Sequence, residues 1–471
     1  MKIKDLPKSD RPREKLIAKG AENLKDSELL AILLRTGTMG KNVIEIASQI
    51  LTKHSKKRLL QMTYDDLSKI SGIDSAKATT LLAAFELSKR ALEVNDTNMT
   101  RIWNKHKQSN TTLKRKVFVA MSGGVDSSVA AMLFKKEGFR VVGVYFKPWS
   151  PSPLDARGGQ GGYCNWQQDR LDAMRVAAKL GIEFKTWDFS KEYGKEVAQY
   201  MIDGYRAGIT PNPDVICNKE IKFGLFLKKA LAEGADFIAT GHYARCEASG
   251  STKSQNPNFK LLKAKDTNKD QTYFLWTLTQ EQLKHILFPI GEYTKPQVRA
   301  MAKKFGLPTF DKKDSQGVCF VGELDMRDFL KEYIKPEPGS IMFEGKVIGA
   351  HQGAAYYTIG QRHGLNITIG GGPYYVARKE SNVLYVEKSK IKSQELKISE
   401  VNWIGKKPKF PLKTNVKIRY RTQEIPVVID SRYTLHATRP FTAAAPGQSA
   451  VIYRGQEVLG GGILQSSRSA S

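Results

Sequence analysis

The run Ser122-Gly123-Gly124-Val125-Asp126-Ser127-Ser128 constrains this chain more than any other feature. It follows the apolar run VFVAM directly and precedes DSSVAAMLFKKEG, whose apolar spacing is helical, so it turns the end of a strand into the start of a helix. Glycines without a Cβ let backbone approach a ligand closely, and the helix N-terminus supplies unpaired N–H donors and a favourable dipole. The expected occupant is a phosphate or pyrophosphate. No G-x-x-x-x-G-K-[ST] occurs and no lysine follows the glycines, which excludes a Walker A loop.

The alternation continues through VVGVYF, DRLDAMRVAAKLG, FKTWDF, EIKFGLFLKKALAEG and FIATGH, with Gly138, Gly181 and Gly234 placed to end helices in left-handed caps. Strands alternating with helices predict an α/β domain with a parallel sheet covered on both faces. Beyond about residue 335 the helical patterns fade. Period-two stretches such as NVKIRYRTQEIPVVID and QSAVIYRGQEVLGGGIL then predict a β-rich end with a small barrel. Gly370 to Gly372 and Gly460 to Gly462 have no helix after them and are expected in tight turns.

Ahead of Val117, residues 1–95 predict an all-α module. DSELLAILLR and NVIEIASQILTKH carry apolar residues at three- and four-residue spacing, and LSKISGIDSAKATTLLAAFELSKRAL has the layout of a helix-hairpin-helix. Such a hairpin can hold a nucleic-acid phosphate on its turn N–H groups, or can simply pack. Residues 96–116 read as a basic linker: NMTRIWNKHKQSNTTLKRK contains six Lys and Arg and no acid.

Over the 471 residues, 75 Lys and Arg face 47 Asp and Glu, a net charge of +28 that points to a polyanionic partner. No apolar run reaches the roughly 18 residues needed to span a bilayer, and MKIKDLPKSDRPREK lacks the apolar stretch of a signal peptide, so a cytoplasmic protein with no membrane partner is expected. Four cysteines, Cys164, Cys217, Cys246 and Cys319, form no C-x-x-C pair, and the seven histidines show no metal-ligand spacing, so no protein-held metal is expected.

Two of those cysteines sit in reactive-looking contexts. Thr210-Pro211-Asn212-Pro213-Asp214 is a rigid turn leading to Cys217 and Asn218, ahead of KEIKFGLFLKKAL. A thiol near a helix N-terminus in basic surroundings is expected to have a lowered pKa and more of the nucleophilic thiolate. Asp214 could act as a general base or hold a base edge. Cys319, in Asp314-Ser315-Gln316-Gly317-Val318-Cys319-Phe320, follows a polar glycine turn, whereas Cys164 and Cys246 are expected to be ordinary packing or exposed thiols.

The SGGVDS loop resembles that of the PP-loop ATP pyrophosphatases, which cleave ATP between the α- and β-phosphates and adenylate a substrate. From 117 to about 465 the chain further resembles the tRNA-specific 2-thiouridylase (MnmA) family, through SGGVDSS, GYCNWQQD, TPNPDVICNKEIKF, ATGHYAR, KDQTYFL, FPIGEYTKPQVRAMA, KDSQGVCF, YYTIGQRHGL and PGQSAVIY, in order. Residues 1–93 resemble the N-terminal helical region of the RadC family, through RPREKL, KDSELLAILLRTG and the hairpin, with Asp74 where a second turn glycine is usual.

The resemblance implies a PP-loop catalytic domain over 117–318, a central tRNA-binding region over 319–397 and a C-terminal β-barrel over 398–466. It implies ATP, with Mg²⁺, on Ala120, Met121, Ser122, Gly123, Gly124, Val125, Asp126 and Ser127, with Phe146, where methionine is common, and Gly241 beside the nucleotide. Asn212, Pro213 and Asp214 would meet the target uridine, and His242, Lys269, Asp270, Gln271, Arg419, Tyr420 and Gln448 would contact tRNA. Cys319 would carry a persulfide from a cysteine desulfurase or sulfur-carrier protein, with Cys217 as partner nucleophile. The expected product is 2-thiouridine at the wobble position. The alternatives are another PP-loop enzyme that adenylates a small molecule, and a nucleic-acid-binding adapter with a vestigial thiolase domain.

Overall fold

Strand β1, Lys116–Ala120, has its three central residues fully buried and is the middle strand of a five-stranded parallel sheet. In this computed structural model, which describes residues 5, 7–38, 40–60, 62–96, 115–149, 166–249, 258–313, 326–365, 367 and 370–465, the chain divides into two compact units, Met1–Thr97 and Asn98–Ser471. Among the described residues no helix is long and apolar enough to cross a membrane.

In the second unit, β1 is flanked by β2 (Arg140–Lys147) and β3 (Glu183–Asp188) on one side and by β4 (Phe237–Ala239) on the other. All pair in parallel, as the alternation predicts. A later strand, β7 (Ile286–Leu287), extends the sheet to the order β3-β2-β1-β4-β7. The helices between strands end where expected: Gly138, Gly181 and Gly234 have φ of 85°, 58° and 80°. The chain winds outward from β1 to β3 and returns to β4, so the switch point lies between β1 and β4. In open sheets of this kind ligands bind outside the carboxyl ends of the strands at that point.

Between β4 and β7 lies the hairpin β5 (Arg245–Ser249) and β6 (Asn258–Leu262), which leaves the parallel sheet and joins the far end of the chain. After β7 a mixed sheet follows, ordered β10-β11-β8-β9 from β8 (Gly339–Phe343), β9 (Lys346–His351), β10 (Tyr375–Glu380) and β11 (Val383–Glu387). The predicted barrel is present: β12 (Lys392–Trp403), β15 (Thr434–Thr442), β14 (Ile425–Ile429), β13 (Leu412–Lys417), β16 (Ser449–Arg454) and β17 (Glu457–Leu464) pair in that order, and β17 closes back onto β12. Val416, Ile429, Leu435, Phe441, Ala450 and Ile452 fill its interior with no exposure. β17 also pairs with β6, so the barrel is hydrogen-bonded to a hairpin of the catalytic region.

One expectation fails here. Gly460, Gly461 and Gly462 form no tight turn but lie within β17. A Cβ at Gly460 would meet the Asn402 carbonyl oxygen at 2.0 Å, and one at Gly461 the Trp276 ring at 2.9 Å. These glycines admit the close approach of neighbouring strands and an aromatic ring.

The first unit is helical, with helices Pro12–Lys19, Asp26–Leu34, Val43–Lys53, Tyr64–Ser68 and Ser75–Asp96. Asn42 and Thr63 begin two of them with capping boxes. Leu34, Ile46, Ala47, Leu67, Ala78 and Leu81 make its core.

Candidate active site

The phosphate loop stands at the carboxyl end of β1. Met121 stays attached to the sheet by donating its N–H to Val144 at 2.8 Å, and the sulfur sits over Gly143, where a Cβ would come within 2.5 Å of it. Gly123 then turns with φ of 74°, and a Cβ there would lie 2.2 Å from the Asp169 carbonyl oxygen, so no other residue fits. Gly124 caps the helix Val125–Lys136 without a side-chain acceptor, which leaves the first N–H groups facing the loop. Ser127 Oγ accepts from Ser122 N–H at 3.2 Å and donates to the Gly124 carbonyl at 3.2 Å, setting the loop's curvature.

The second wall comes from the end of β4. A Cβ on Gly241 would sit 2.7 Å from Ser127 N, so only glycine lets Thr240-Gly241-His242 lie against the helix start. Ala120, Met121, Ser122, Gly123, Gly124, Val125, Asp126, Ser127 and Gly241 therefore share one place. Phe146 lies further along β2, in an aromatic cluster with Phe226 at 4.7 Å and Phe189 at 5.5 Å.

Asn212 begins the short helix Pro213–Ile216, its Oδ1 accepting from Val215 N–H at 3.4 Å. That helix continues without a break into a π-helical stretch, Cys217–Leu225, and then into the helix Phe226–Ala232. Cys217 is therefore inside a continuous helix and only 3% exposed, not ahead of one. The expected lowering of its pKa is reversed. Burial pushes the thiol up, against a smaller stabilising effect from the Lys222 charge. Burial likewise raises the Asp214 carboxyl above the usual range, with Lys222 pulling it back.

Lys222 is the residue that sequence reasoning missed. Its charge acts on Asp214, Cys217 and His242 together. A π-helical turn, closed by hydrogen bonds between residues five apart, rotates Lys222 nearer to the face of Cys217 than an α-helical turn would. The signal was present only as a spacing within CNKEIK.

Several residues expected at a tRNA surface also make contacts inside the protein. His242 is buried between Phe223 and Phe288, its Nδ1 2.7 Å from Thr240 Oγ1, and burial holds its pKa well below the usual value. Asp270 is 6% exposed and accepts from Ala264 N–H at 3.1 Å and from the Thr272 hydroxyl, which ties the segment after β6 to the barrel near Tyr453. Gln271 exchanges hydrogen bonds with the Tyr243 backbone, and Lys269 donates its N–H to Asp266. Arg419 donates to the Ile359 and Ala443 carbonyls, and Tyr420 packs at a tilt against Phe274, the ring centroids 4.6 Å apart. Gln448 donates to the carbonyls of Thr210 and Pro211. The side chains of Asp270, Gln271, Arg419 and Gln448 each fasten one segment of the chain to another.

Cys319 and Cys164 lie outside the described residues. The chain leading toward Cys319 is anchored at the phosphate loop: Thr309 Oγ1 donates to Ser128 Oγ at 3.0 Å, and Lys312 pairs with Asp169 at 2.7 Å and Asp172 at 2.6 Å. Cys246 is buried and its thiol is pushed up to about 12, which suits the inert role expected of it. Among the described residues no group of three His, Cys, Asp or Glu is placed to hold a metal ion.

Comparison with known proteins agrees with this layout. The tRNA methyl transferase HUP domain model matches residues 115–323, the tRNA methyl transferase PRC-barrel domain model 327–388, the aminomethyltransferase beta-barrel domain model 393–464, and the UPF0758 N-terminal model 3–79. The tRNA-specific 2-thiouridylase MnmA of Geobacillus thermodenitrificans is 44% identical over 361 residues, 74% of this chain and 94% of that one. That of Pediococcus pentosaceus is 44% identical over 373 residues, 75% of this chain and 96% of that one. A 4-thiouridine synthetase–RNA complex with bound ATP has a TM-score of 0.29 at 20% identity, over 44% of this chain and 46% of that one, too slight a likeness to argue from. With the glycine-built loop, the Asp214–Cys217 helix and identity across nearly the whole length of those relatives, the chain belongs to the tRNA-specific 2-thiouridylase family.

Proposed function

We propose that this chain is an ATP-dependent tRNA-uridine 2-sulfurtransferase that converts the wobble uridine (U34) of certain tRNAs to 2-thiouridine in the cytoplasm, releasing AMP and pyrophosphate. The observation that carries this reading is the 44% identity over 94% of a tRNA-specific 2-thiouridylase. A helix N-terminus opened by Gly123 and Gly241, beside a helix that presents Asp214 and Cys217, supports it.

The C2 carbonyl of uridine is a weak electrophile and its oxygen a poor leaving group, so the oxygen must first be activated. In this reading the uridine O2 attacks the α-phosphorus of ATP. The bond from that phosphorus to the bridging oxygen breaks with its electron pair on pyrophosphate, and the N3 proton passes to Asp214, whose raised pKa suits a base. A persulfide on Cys319, supplied by a cysteine desulfurase directly or through a sulfur carrier, attacks C2, and AMP leaves with the C2–O pair. Cys217 thiolate then attacks Cys319 Sγ, so that the S–S bond breaks with its pair on the sulfur now held by C2. The products are 2-thiouridine and a Cys217–Cys319 disulfide, which a thiol reductant reopens. Release of hydrosulfide by Cys217 before attack on C2 leads to the same products.

Mg²⁺ fits the donor set, since such ions take one or two carboxylates plus substrate phosphates and Asp126 offers a carboxylate at the loop. Bound there, it would neutralise charge on the phosphates. The surplus of positive charge serves tRNA binding.

The test is transfer of radiolabelled sulfur to tRNA by the purified protein with ATP, Mg²⁺, a desulfurase and cysteine, comparing wild type with Cys217→Ala and Cys319→Ser. ATP-dependent labelling that both substitutions abolish is expected. Tight tRNA binding without any labelling would favour the adapter and remove the enzymatic reading.

A further inference from the structure

Lys295, in the TKPQVRAMA segment, opens the helix Lys295–Lys304 and reaches the phosphate loop from outside the elements that form it. Its Nζ lies 2.8 and 2.9 Å from the two carboxylate oxygens of Asp126, and Tyr243 Oη donates to Asp126 Oδ1 at 2.9 Å. Lys295 is 9% exposed, whereas the Asp126 side chain keeps 31% of its surface exposed. The base of the lysine is fixed: its N–H donates to Asp266 Oδ2 at 2.8 Å, and Pro296 follows it in the first turn. Its head, on a flexible four-carbon stem, is a mobile point charge.

A buried ion pair is a poor stabilising device, because desolvation of both charges offsets their attraction. Its position at the mouth of an anion site gives it another use. Asp126 alone would repel a triphosphate, and Lys295 cancels that charge while the loop is empty. We propose that Lys295 is the cation that receives the pyrophosphate, its ammonium passing from Asp126 to the β- and γ-phosphate oxygens when ATP occupies the loop. This rests on the reading of the loop as an ATP site. As the bond between the α-phosphorus and the bridging oxygen breaks, one further negative charge collects on the departing pyrophosphate and Lys295 pairs with it, with no proton transferred. The lysine thereby stabilises charge that is larger in the transition state than in bound ATP.

Inorganic pyrophosphate is the probe, with binding followed by calorimetry on the full chain. Lys295→Met alone would strand Asp126, so the informative pair is Asp126→Asn, which releases the Lys295 ammonium from its carboxylate, against the double variant Asp126→Asn with Lys295→Met, which removes both charges. The double variant is expected to bind pyrophosphate at least tenfold more weakly than Asp126→Asn, both being folded by circular dichroism, and Lys295→Arg to stay within about threefold of wild type. Equal pyrophosphate affinity of Asp126→Asn and the double variant would overturn the assignment and leave Lys295 a structural partner of Asp126. If wild type forms no 2-thiouridine yet pyrophosphate affinity still depends on Lys295, the sulfur-transfer reading fails while this one stands.

Discussion

Gln448 donates from its single amide nitrogen to the Thr210 carbonyl at 2.9 Å and to the Pro211 carbonyl at 3.2 Å. Thr210 also donates its N–H to Pro446 at 2.8 Å and its hydroxyl to Thr358 at 3.2 Å, and a Cβ on Gly447 would meet the Thr210 carbonyl at 2.9 Å. The barrel and the central region thus converge on the residue that begins the Thr210–Asp214 turn. The barrel positions Asp214 and Cys217 through backbone carbonyls, whatever else it touches.

Gln448→Ala therefore should act on rate rather than on tRNA affinity. Two carbonyls lose their partner at a cost of about 1–3 kcal/mol each where water does not replace it. Single-turnover thiolation is expected to slow about tenfold, with the Kd for tRNA within twofold of wild type. Weakened tRNA binding with an unchanged single-turnover rate would make Gln448 a tRNA contact.

The Cys217 thiol is pushed up by burial, so little thiolate exists at neutral pH and sulfur transfer should quicken as pH rises from there. Lys222 stabilises the thiolate, so Lys222→Met should move the rising limb to higher pH while Lys222→Arg leaves it in place. The pH dependence of single-turnover transfer from preformed Cys319 persulfide reads this directly. A limb that does not move in Lys222→Met would remove Lys222 from the site.

Asp214 offers a test in which activity and stability move apart. Its carboxyl has a higher pKa in the folded protein than in the unfolded chain, so above the unfolded value of about 3.9 the unfolded state loses its proton first. Stability falls as pH rises from there to the folded pKa. Asp214→Asn abolishes that loss, so at neutral pH the variant should melt no lower than wild type. Its kcat should nevertheless drop by about 10²–10⁴, the usual worth of a general base. Melting far below wild type would mean that Asp214 is chiefly a structural residue.

The parallel sheet, the barrel and the phosphate loop were legible because each is written in local sequence. Val117 to Val119 form an unbroken buried run, Gly138 and Gly181 end helices, and Gly123 requires a backbone that no other residue adopts. The roles of Lys222, Lys295, Asp270 and Gln448 were not legible, because partners far away in sequence decide them: Lys295 finds Asp126, and Gln448 finds Thr210. The thiol pKa was misjudged for a related reason. Basic neighbours can be counted along the chain, but burial depends on the packing around Cys217, and burial is the larger effect.

The helical hairpin of the first unit yields the last prediction. Phosphate capture there needs free N–H groups at the start of the helix Ser75–Asp96. Asp74 takes that place: its carboxylate accepts from Lys77 N–H at 2.9 Å and is held below its usual pKa by that bond. Lys77, 8% exposed, turns its ammonium inward to the Gly72 carbonyl at 3.1 Å and to Asp74 at 3.3 Å. A phosphate would meet a carboxylate, and the nearby cation is already committed. Deleting residues 1–96 should therefore leave tRNA affinity and its salt dependence unchanged. Deleting residues 1–114 also takes Arg101, Lys105, Lys107 and Lys114 from the basic stretch, and each of them that neutralises a phosphate should lower the slope of log K against log salt by about 0.7–0.9. Titrations across about 50–200 mM salt separate the two deletions. A fall in slope already with the shorter deletion would show that the helical unit itself touches nucleic acid, through a surface other than this turn.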